Sequence, residues 1–260
     1  PDDRYRLEEL LAATSLSLVY RATDLRLSDQ GFEALVAIKI ARHANQSVVK
    51  EGAAIRRISH RYVLAVFDHG VIDECEYTVT ELVEGGTLDD KKVPLTHREA
   101  AELMVKLARG MQAAHAAGVF HLDLKPANVL LTKDGEPRIA DFGYGRLENE
   151  DAGPARGNLA FMSPEQYAAA DDALTSFADI YSLGGILHYL LSGSFPHGET
   201  AQEIEEFHRQ GQLPPPPTPD CRVLNIICAK AMARQPKDRY ASAGELANDL
   251  ENWLRHEPIA

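Results

Sequence analysis

The spacing of apolar positions changes partway along the chain. Between residues 5 and 83 they gather in short runs at 16–20, 35–40, 63–67 and 77–83, lengths that suit strands rather than packed helices. One helical stretch, 46–58, interrupts them. From Leu95 onward the period becomes helical. Thr96-His97-Arg98-Glu99 has capping-box spacing, Leu103, Met104, Leu107 and Met111 follow on one face, and Gly118 supplies a stop. Ser242-Ala243-Gly244-Glu245 repeats the box ahead of Leu246, Leu250, Trp253 and Leu254. Residues 177–191 are strongly apolar and end at Gly193, which predicts a buried helix. A β-rich front and a helical back, joined near Glu84-Gly85-Gly86, predict an α+β architecture of two lobes, 1–83 and 84–260, with a cleft between them. The proline run 214–217 reads as an extended loop or as a docking segment for an aromatic groove.

Composition narrows the function classes. The chain has 260 residues, 45% of them apolar, enough for one large domain or two small lobes. A net charge of -12 without a dense Lys/Arg block argues against a nucleic-acid partner. No apolar run is long enough to suggest a membrane span. There is no signal peptide, and a first residue Pro1 instead of Met reads as a piece cut from a longer protein. Cys75, Cys221 and Cys228 form no CxxC pair, which suits a reducing compartment and argues against a disulfide framework or a structural zinc site.

Four short motifs carry candidate chemistry. Val36-Ala37-Ile38-Lys39 sets a lysine on a front-lobe strand. His121-Leu122-Asp123-Leu124-Lys125-Pro126-Ala127-Asn128 precedes the apolar Val129-Leu130-Leu131. Asp141-Phe142-Gly143 follows the strand-like Arg138-Ile139-Ala140, and Met162-Ser163-Pro164-Glu165 closes the segment that begins there. Taken singly, each has an ordinary reading: a solvated lysine, a turn, a polar helix face. Their joint occurrence, in order, meets the needs of phosphoryl transfer, which asks for metal ligands, a cation on the phosphates and a carboxylate to orient the attacking hydroxyl.

On these motifs the chain resembles the eukaryotic-like (Hanks-type) serine/threonine protein kinases of bacteria, over about residues 5–253. The resemblance implies a two-lobed kinase fold that uses ATP and magnesium to phosphorylate Ser or Thr of protein substrates in the cytoplasm, with a regulatory partner or fused domain. It assigns Asp123 as base, Asn128 and Asp141 as magnesium ligands, and Lys39 to the α/β-phosphates with Glu51 as its partner. Lys125 matches the serine/threonine pattern rather than the tyrosine one. Glu81, Leu82 and Val83 become the adenine hinge with Thr80 as gatekeeper. Val19, Ala37 and Leu130 sandwich the ring, and Leu11 and Ser17 lie in the phosphate loop. Asp179, Glu165 and Arg239 match structural anchors of the helical lobe.

The departures are as informative. The three glycine positions of the phosphate loop, in 11–20, fall on Ala12, Thr14 and Ser17. A side chain at each should restrict backbone approach to phosphate. The hydroxyls of Thr14, Ser15 and Ser17 either compensate as donors or pack the hairpin on itself. Leu122 stands where an arginine usually grips an activation-segment phosphate, and 144–162 contains no Ser or Thr; Tyr144 is its sole hydroxyl. Glu148, Glu150 and Asp151 read as a fixed substitute for phosphate or as a solvated acidic loop. Asn158 replaces a usual Thr. Gly52 beside Glu51 reads as a soft helix or as close packing on the sheet. Activation is thus expected to be independent of activation-segment phosphorylation. The competing expectation is a pseudokinase acting by nucleotide or protein binding. Phosphorylation of a small molecule is disfavoured by Lys125 and by 163–165, which resembles a peptide-positioning element.

Overall fold

Five antiparallel strands build the front of the molecule: β1 (Tyr5–Ala13), β2 (Ser17–Asp24), β3 (Leu35–Ala41), β4 (Val66–Ile72) and β5 (Cys75–Glu81), in the order β1-β2-β3-β5-β4. The computed structural model describes residues 4–15, 17–28, 34–42, 56, 58–72, 74–142, 159–168 and 175–260, with the backbone of 146–147. Most of the stretch expected as a helix at 46–58 lies outside these residues.

Register decides which side chains share a face. Opposed residues in an antiparallel ladder project to the same side. Val19 is opposite Lys39, and Ala37 is opposite both Arg21 and Thr80, so these residues form one face. The alternate set, Ala22, Val36, Ile38 and Val79, is buried on the other face with Tyr5, Ile40 and Tyr77 against it. The sheet is strongly curled. Arg4, at the head of β1, donates to Asp24 Oδ2 (2.8 Å) and to Asp68 Oδ2 on the far edge strand (2.5 Å), and the Tyr5 hydroxyl joins the same Asp68 oxygen at 3.1 Å.

Two strands differ from the sequence expectation. The first, β1, was not expected; its side chains are nearly all exposed and its pairing breaks at 7/9 and 10/12, so no alternation survives to be read. The apolar run 63–67 splits. Val63 forms a parallel bridge to Ile139, with Leu64 N–H on Ile139 O (2.9 Å) and Ile139 N–H on Tyr62 O (2.8 Å), and the sheet strand starts only at Val66.

The helical part holds α1 (His97–Ala116), α2 (Pro164–Tyr167), α3 (Ser176–Ser192), α4 (Ala201–Gln210), α5 (Arg222–Ala231) and α6 (Ala243–Leu254). Short strands β6 (Val119–Phe120) and β9 (Arg146–Leu147) pair, as do β7 (Val129–Leu131) and β8 (Pro137–Ile139). Helix α1 opens on the expected box: Thr96 Oγ1 accepts from Glu99 N–H and Glu99 answers to Thr96 N–H. Leu103, Met104, Leu107 and Met111 face the core. Helix α3 is buried from Ala178 to Leu191 and ends at Gly193 with φ 74°, the left-handed setting glycine adopts without strain. Helix α6 has half of the expected box. Ser242 caps Glu245 N–H, but the Glu245 carboxylate turns to Ala241 N–H, one residue earlier.

Candidate active site

The turn between β6 and β7 carries Asp123. Asp179, fully buried in the first turn of α3, accepts from His121 N–H (2.9 Å) and Leu122 N–H (2.8 Å), and His115 Nε2 lies 2.8 Å from the same carboxylate. Burial alone would raise the Asp179 carboxyl. The hydrogen bond and charge of His115, with His121, outweigh it and hold the group below the ordinary carboxylate value. His121 sits between Asp123 N–H and Ala140 O (3.0 Å from Nε2), an arrangement that assigns the ring proton to Nε2. Asp123 is 6% exposed. Its Oδ2 receives Lys125 Nζ at 2.7 Å and Asn128 Nδ2 at 3.1 Å, and Asn128 Nδ2 also reaches the Asp123 carbonyl at 2.8 Å. Pro126 starts the short 3-10 turn that turns Asn128 inward.

A second carboxylate faces this loop. Lys39 Nζ lies 2.5 Å from Asp141 Oδ1. Desolvation pushes the Asp141 carboxyl up. The Lys39 charge and hydrogen bond, helped by His121 and Lys125, prevail and hold it below its ordinary value. Asp141 itself has φ 63°, and the next side chain, Phe142, is buried with its ring centroid 4.5 Å from that of His121. Ala140 N–H donates to Asn128 O at 2.9 Å, tying the Asp123 loop to the segment that leads from β8 to Asp141.

The linker between the lobes is fixed by backbone contacts. Gly85 N–H donates to Leu131 O (2.7 Å), and Leu131 N–H donates to Gly86 O (2.9 Å). A Cβ on Gly85 would stand 2.3 Å from the Thr132 carbonyl, so only glycine lets the linker lie on β7. This places half-buried Leu130 beside Thr87, its bridge partner. Val19, Ala37, Thr80 and Val83 are half-buried, and Leu11 is 45% exposed at a break in the β1 ladder. The Glu81 side chain is occupied: Oε1 accepts from Ala65 N–H (3.0 Å) and both oxygens accept from Arg138 Nε.

At the hairpin between β1 and β2, the two hydroxyl residues face each other. Thr14 N–H donates to Ser17 O (2.9 Å), Ser17 N–H donates to Thr14 Oγ1 (3.0 Å), and the two hydroxyl oxygens lie 3.3 Å apart. Ser17 is buried.

Beyond the cleft, Ser163 caps α2, and buried Glu165 takes both terminal nitrogens of Arg239 at 2.6 and 2.8 Å. Arg239 also donates to three backbone carbonyls, those of Ala233, Phe177 and Arg234. Glu51, Gly52, Tyr144, Glu148, Glu150, Asp151 and Asn158 lie outside the described residues. Among the described residues the sequence reading missed His115, His121 and Arg138. His121 and Arg138 lie inside quoted motifs. Nothing local marks His115, whose partner is 64 positions away.

The protein kinase domain family matches residues 9–250, and the chain belongs to it. It is similar to the probable serine/threonine-protein kinase PknB of Corynebacterium glutamicum, 30% identical across 98% of this chain and 43% of that protein. Serine/threonine-protein kinase PknH of Mycobacterium tuberculosis (strain H37Rv) is 31% identical across 94% of this chain and 41% of its own length. Serine/threonine-protein kinase PknL of Mycobacterium bovis is 33% identical across 96% and 65%. The chain spans about two fifths of the length of several curated relatives it matches. It has the two-lobed α+β fold of the protein kinase domain family. Among the described residues no helix is long and apolar enough to cross a membrane.

Proposed function

We propose that this domain transfers the γ-phosphoryl group of ATP to serine or threonine hydroxyls of protein substrates in the cytoplasm, with magnesium as cofactor. The observation that supports this best is the meeting of two carboxylate networks, Asp123 with Lys125 and Asn128, and Asp141 with Lys39, joined by the Ala140–Asn128 backbone bond. Asp123 orients the acceptor hydroxyl and takes its proton as the new O–P bond forms and the bond to the β-phosphate oxygen breaks, releasing ADP. Lys125 steadies the negative charge at that point. Lys39 holds the α/β-phosphates, with Glu51 as its helix partner. Asp141 and Asn128 offer a carboxylate and an amide oxygen, hard donors that suit magnesium, which would neutralise phosphate charge. Adenine lies against Val19, Ala37 and Leu130, with Thr80 behind it, the backbone of Glu81 and Val83 as its hydrogen-bonding edge, and Leu11 in the loop over the nucleotide. Ser17 closes the phosphate side.

Activation without activation-segment phosphorylation is supported by Leu122, whose side chain is buried with Phe120 and Ala178 instead of presenting a cation. The competing reading, a pseudokinase that binds nucleotide or protein, draws on the self-paired Thr14–Ser17 hairpin. Radiolabelled ATP with magnesium, the purified domain and a generic basic protein separates the two. Label transfer by wild type and none by Asp123→Ala is expected; equal labelling by both would sink the kinase reading. Phosphatase treatment beforehand should leave the rate unchanged.

A further inference from the structure

The backbone just before Asp123 adopts a setting that residues with side chains seldom take. Leu122 has φ 60°, a left-handed setting that is strained outside glycine and persists only where its surroundings hold it. Its side chain packs among Phe120 and Ala178, so any polar grip falls on the backbone. Asp179 takes the Leu122 N–H at 2.8 Å.

The next peptide group, which joins Leu122 to Asp123, is held on both edges. Its N–H donates to His121 Nδ1 at 3.3 Å, and its carbonyl accepts from Gln166 Nε2 at 2.8 Å. Gln166 is 4% exposed. Its orientation follows from its other partners: Oε1 accepts from Ser163 N–H (3.3 Å) and lies 3.2 Å from Ser163 Oγ. The amide oxygen is thereby turned to the start of α2 and the amide nitrogen to the Asp123 loop. One side chain therefore serves as both the reciprocal half of a capping box and the external clamp on the peptide that carries Asp123.

We propose that Gln166 is a positioning residue for phosphoryl transfer: by holding the Leu122 carbonyl it fixes the plane of the Leu122–Asp123 peptide, and with it the direction of the Asp123 carboxylate. This rests on the kinase reading given above. Lys125 and Asn128 hold the far end of the carboxylate, but neither constrains that peptide plane. Without the clamp the peptide can turn toward a relaxed backbone setting. A displacement of about 1 Å at a reacting group costs about a hundredfold in rate. The same clamp links the loop to the segment bearing Glu165, so order in one is felt in the other.

The test compares Gln166→Met and Gln166→Glu with wild type, using magnesium-ATP and a generic basic protein at alkaline pH, with thermal unfolding measured alongside. The Met variant loses both donor and cap acceptor. The Glu variant keeps an acceptor favoured in capping boxes, but its ionised carboxylate donates nothing to Leu122. Both should lose kcat by about ten- to a hundredfold while KM for ATP stays within about twofold, the pattern of an interaction that acts on the reacting step. If the Met variant does not fold, the Glu variant decides. Wild-type kcat in a folded variant would overturn the proposal, and so would a rise in KM that accounts for the whole loss. If wild type itself transfers no phosphate, the kinase reading falls and this inference falls with it.

Discussion

The loop around Asp123 and the hairpin between β1 and β2 satisfy their polar groups by different means. The loop draws on elements far along the chain: Asp179 for two of its amides, Ala140 for His121, and Gln166 for the Leu122 carbonyl. These partners are buried, so their bonds act in a medium of low dielectric and constrain one another. The hairpin turns inward, Thr14 to Ser17, on a strand whose side chains lie mostly in solvent. Groups tied to distant elements keep one geometry before any ligand arrives. The turn closes on bonds between near neighbours, and its Ser17 is paired with Ala41 of β3. In this domain the loop of the proposed chemistry is braced from distant elements, and the proposed phosphate cover is closed by neighbours in sequence.

The largest loss is expected for Asp123→Ala. Removing a positioned base should cost about 10²–10⁴-fold in transfer and leave nucleotide affinity nearly intact, read by steady-state kinetics and calorimetry. A wild-type rate would end the argument. Next in size is Glu165→Ala, which strands the Arg239 guanidinium in the interior and should cost about 3–5 kcal/mol in urea unfolding. Thr14→Ala, its hairpin counterpart, removes the neutral hydroxyl contacts to Ser17 and should cost about 0.5–1.5 kcal/mol. Equal losses would abolish the distinction.

Acid sharpens it from the braced side. Burial lowers His197 to about 3, although its Leu159 contact opposes the shift, and burial with the Arg234 charge lowers His208 to about 4. Their stabilising contribution is complete above the unfolded value of 6.5 and is lost as pH falls toward the folded values, because the unfolded chain then binds more protons. The loss is bounded by about 1.4 kcal/mol per pH unit per group, with less from the half-exposed His208. Unfolding free energies from urea titration at pH 7 and pH 5 should differ by about 1–3 kcal/mol, and His197→Phe should flatten the slope. An unchanged free energy would show that these rings titrate freely in the fold.

The smallest effect falls on the hairpin. Glycine at Ala12, Thr14 and Ser17 together should raise kcat/KM for ATP by up to about tenfold, the worth of one recovered phosphate bond, with adenosine affinity barely changed. If the variant is no better and Ser17→Ala alone is damaging, the hydroxyls contact phosphate after all and the turn opens to reach it.

What the sequence made legible was local. Capping residues and 3.6-residue spacing announce α1 and α3 within a residue or so, because their causes lie within a few positions of each helix. The phosphotransfer motifs are legible through their order. The strand β1 was hidden because its pairing breaks twice and nearly all its side chains are exposed. The run at 63–67 misled because half of it pairs across the lobes with Ile139. The inward turn of Thr14 and Ser17 and the clamp by Gln166 depend on where side chains point once the chain has folded. The box spacing from Ser163 to Gln166 could have been read; the reach to Leu122, 44 positions away, could not.

Arg4 carries one more consequence. Strands at about 4.8 Å spacing would put the two margins of a flat five-stranded sheet roughly 19 Å apart, yet this one guanidinium meets Asp24 beside the first margin and Asp68 on the last. Ordinary open sheets fray from either border independently. Here Arg4 and the Tyr5 hydroxyl meet on Asp68 and join the borders, so loosening the guanidinium weakens both at once. Amide exchange along β1 and β4 should accelerate together in Arg4→Ala, as the two sides of one seam.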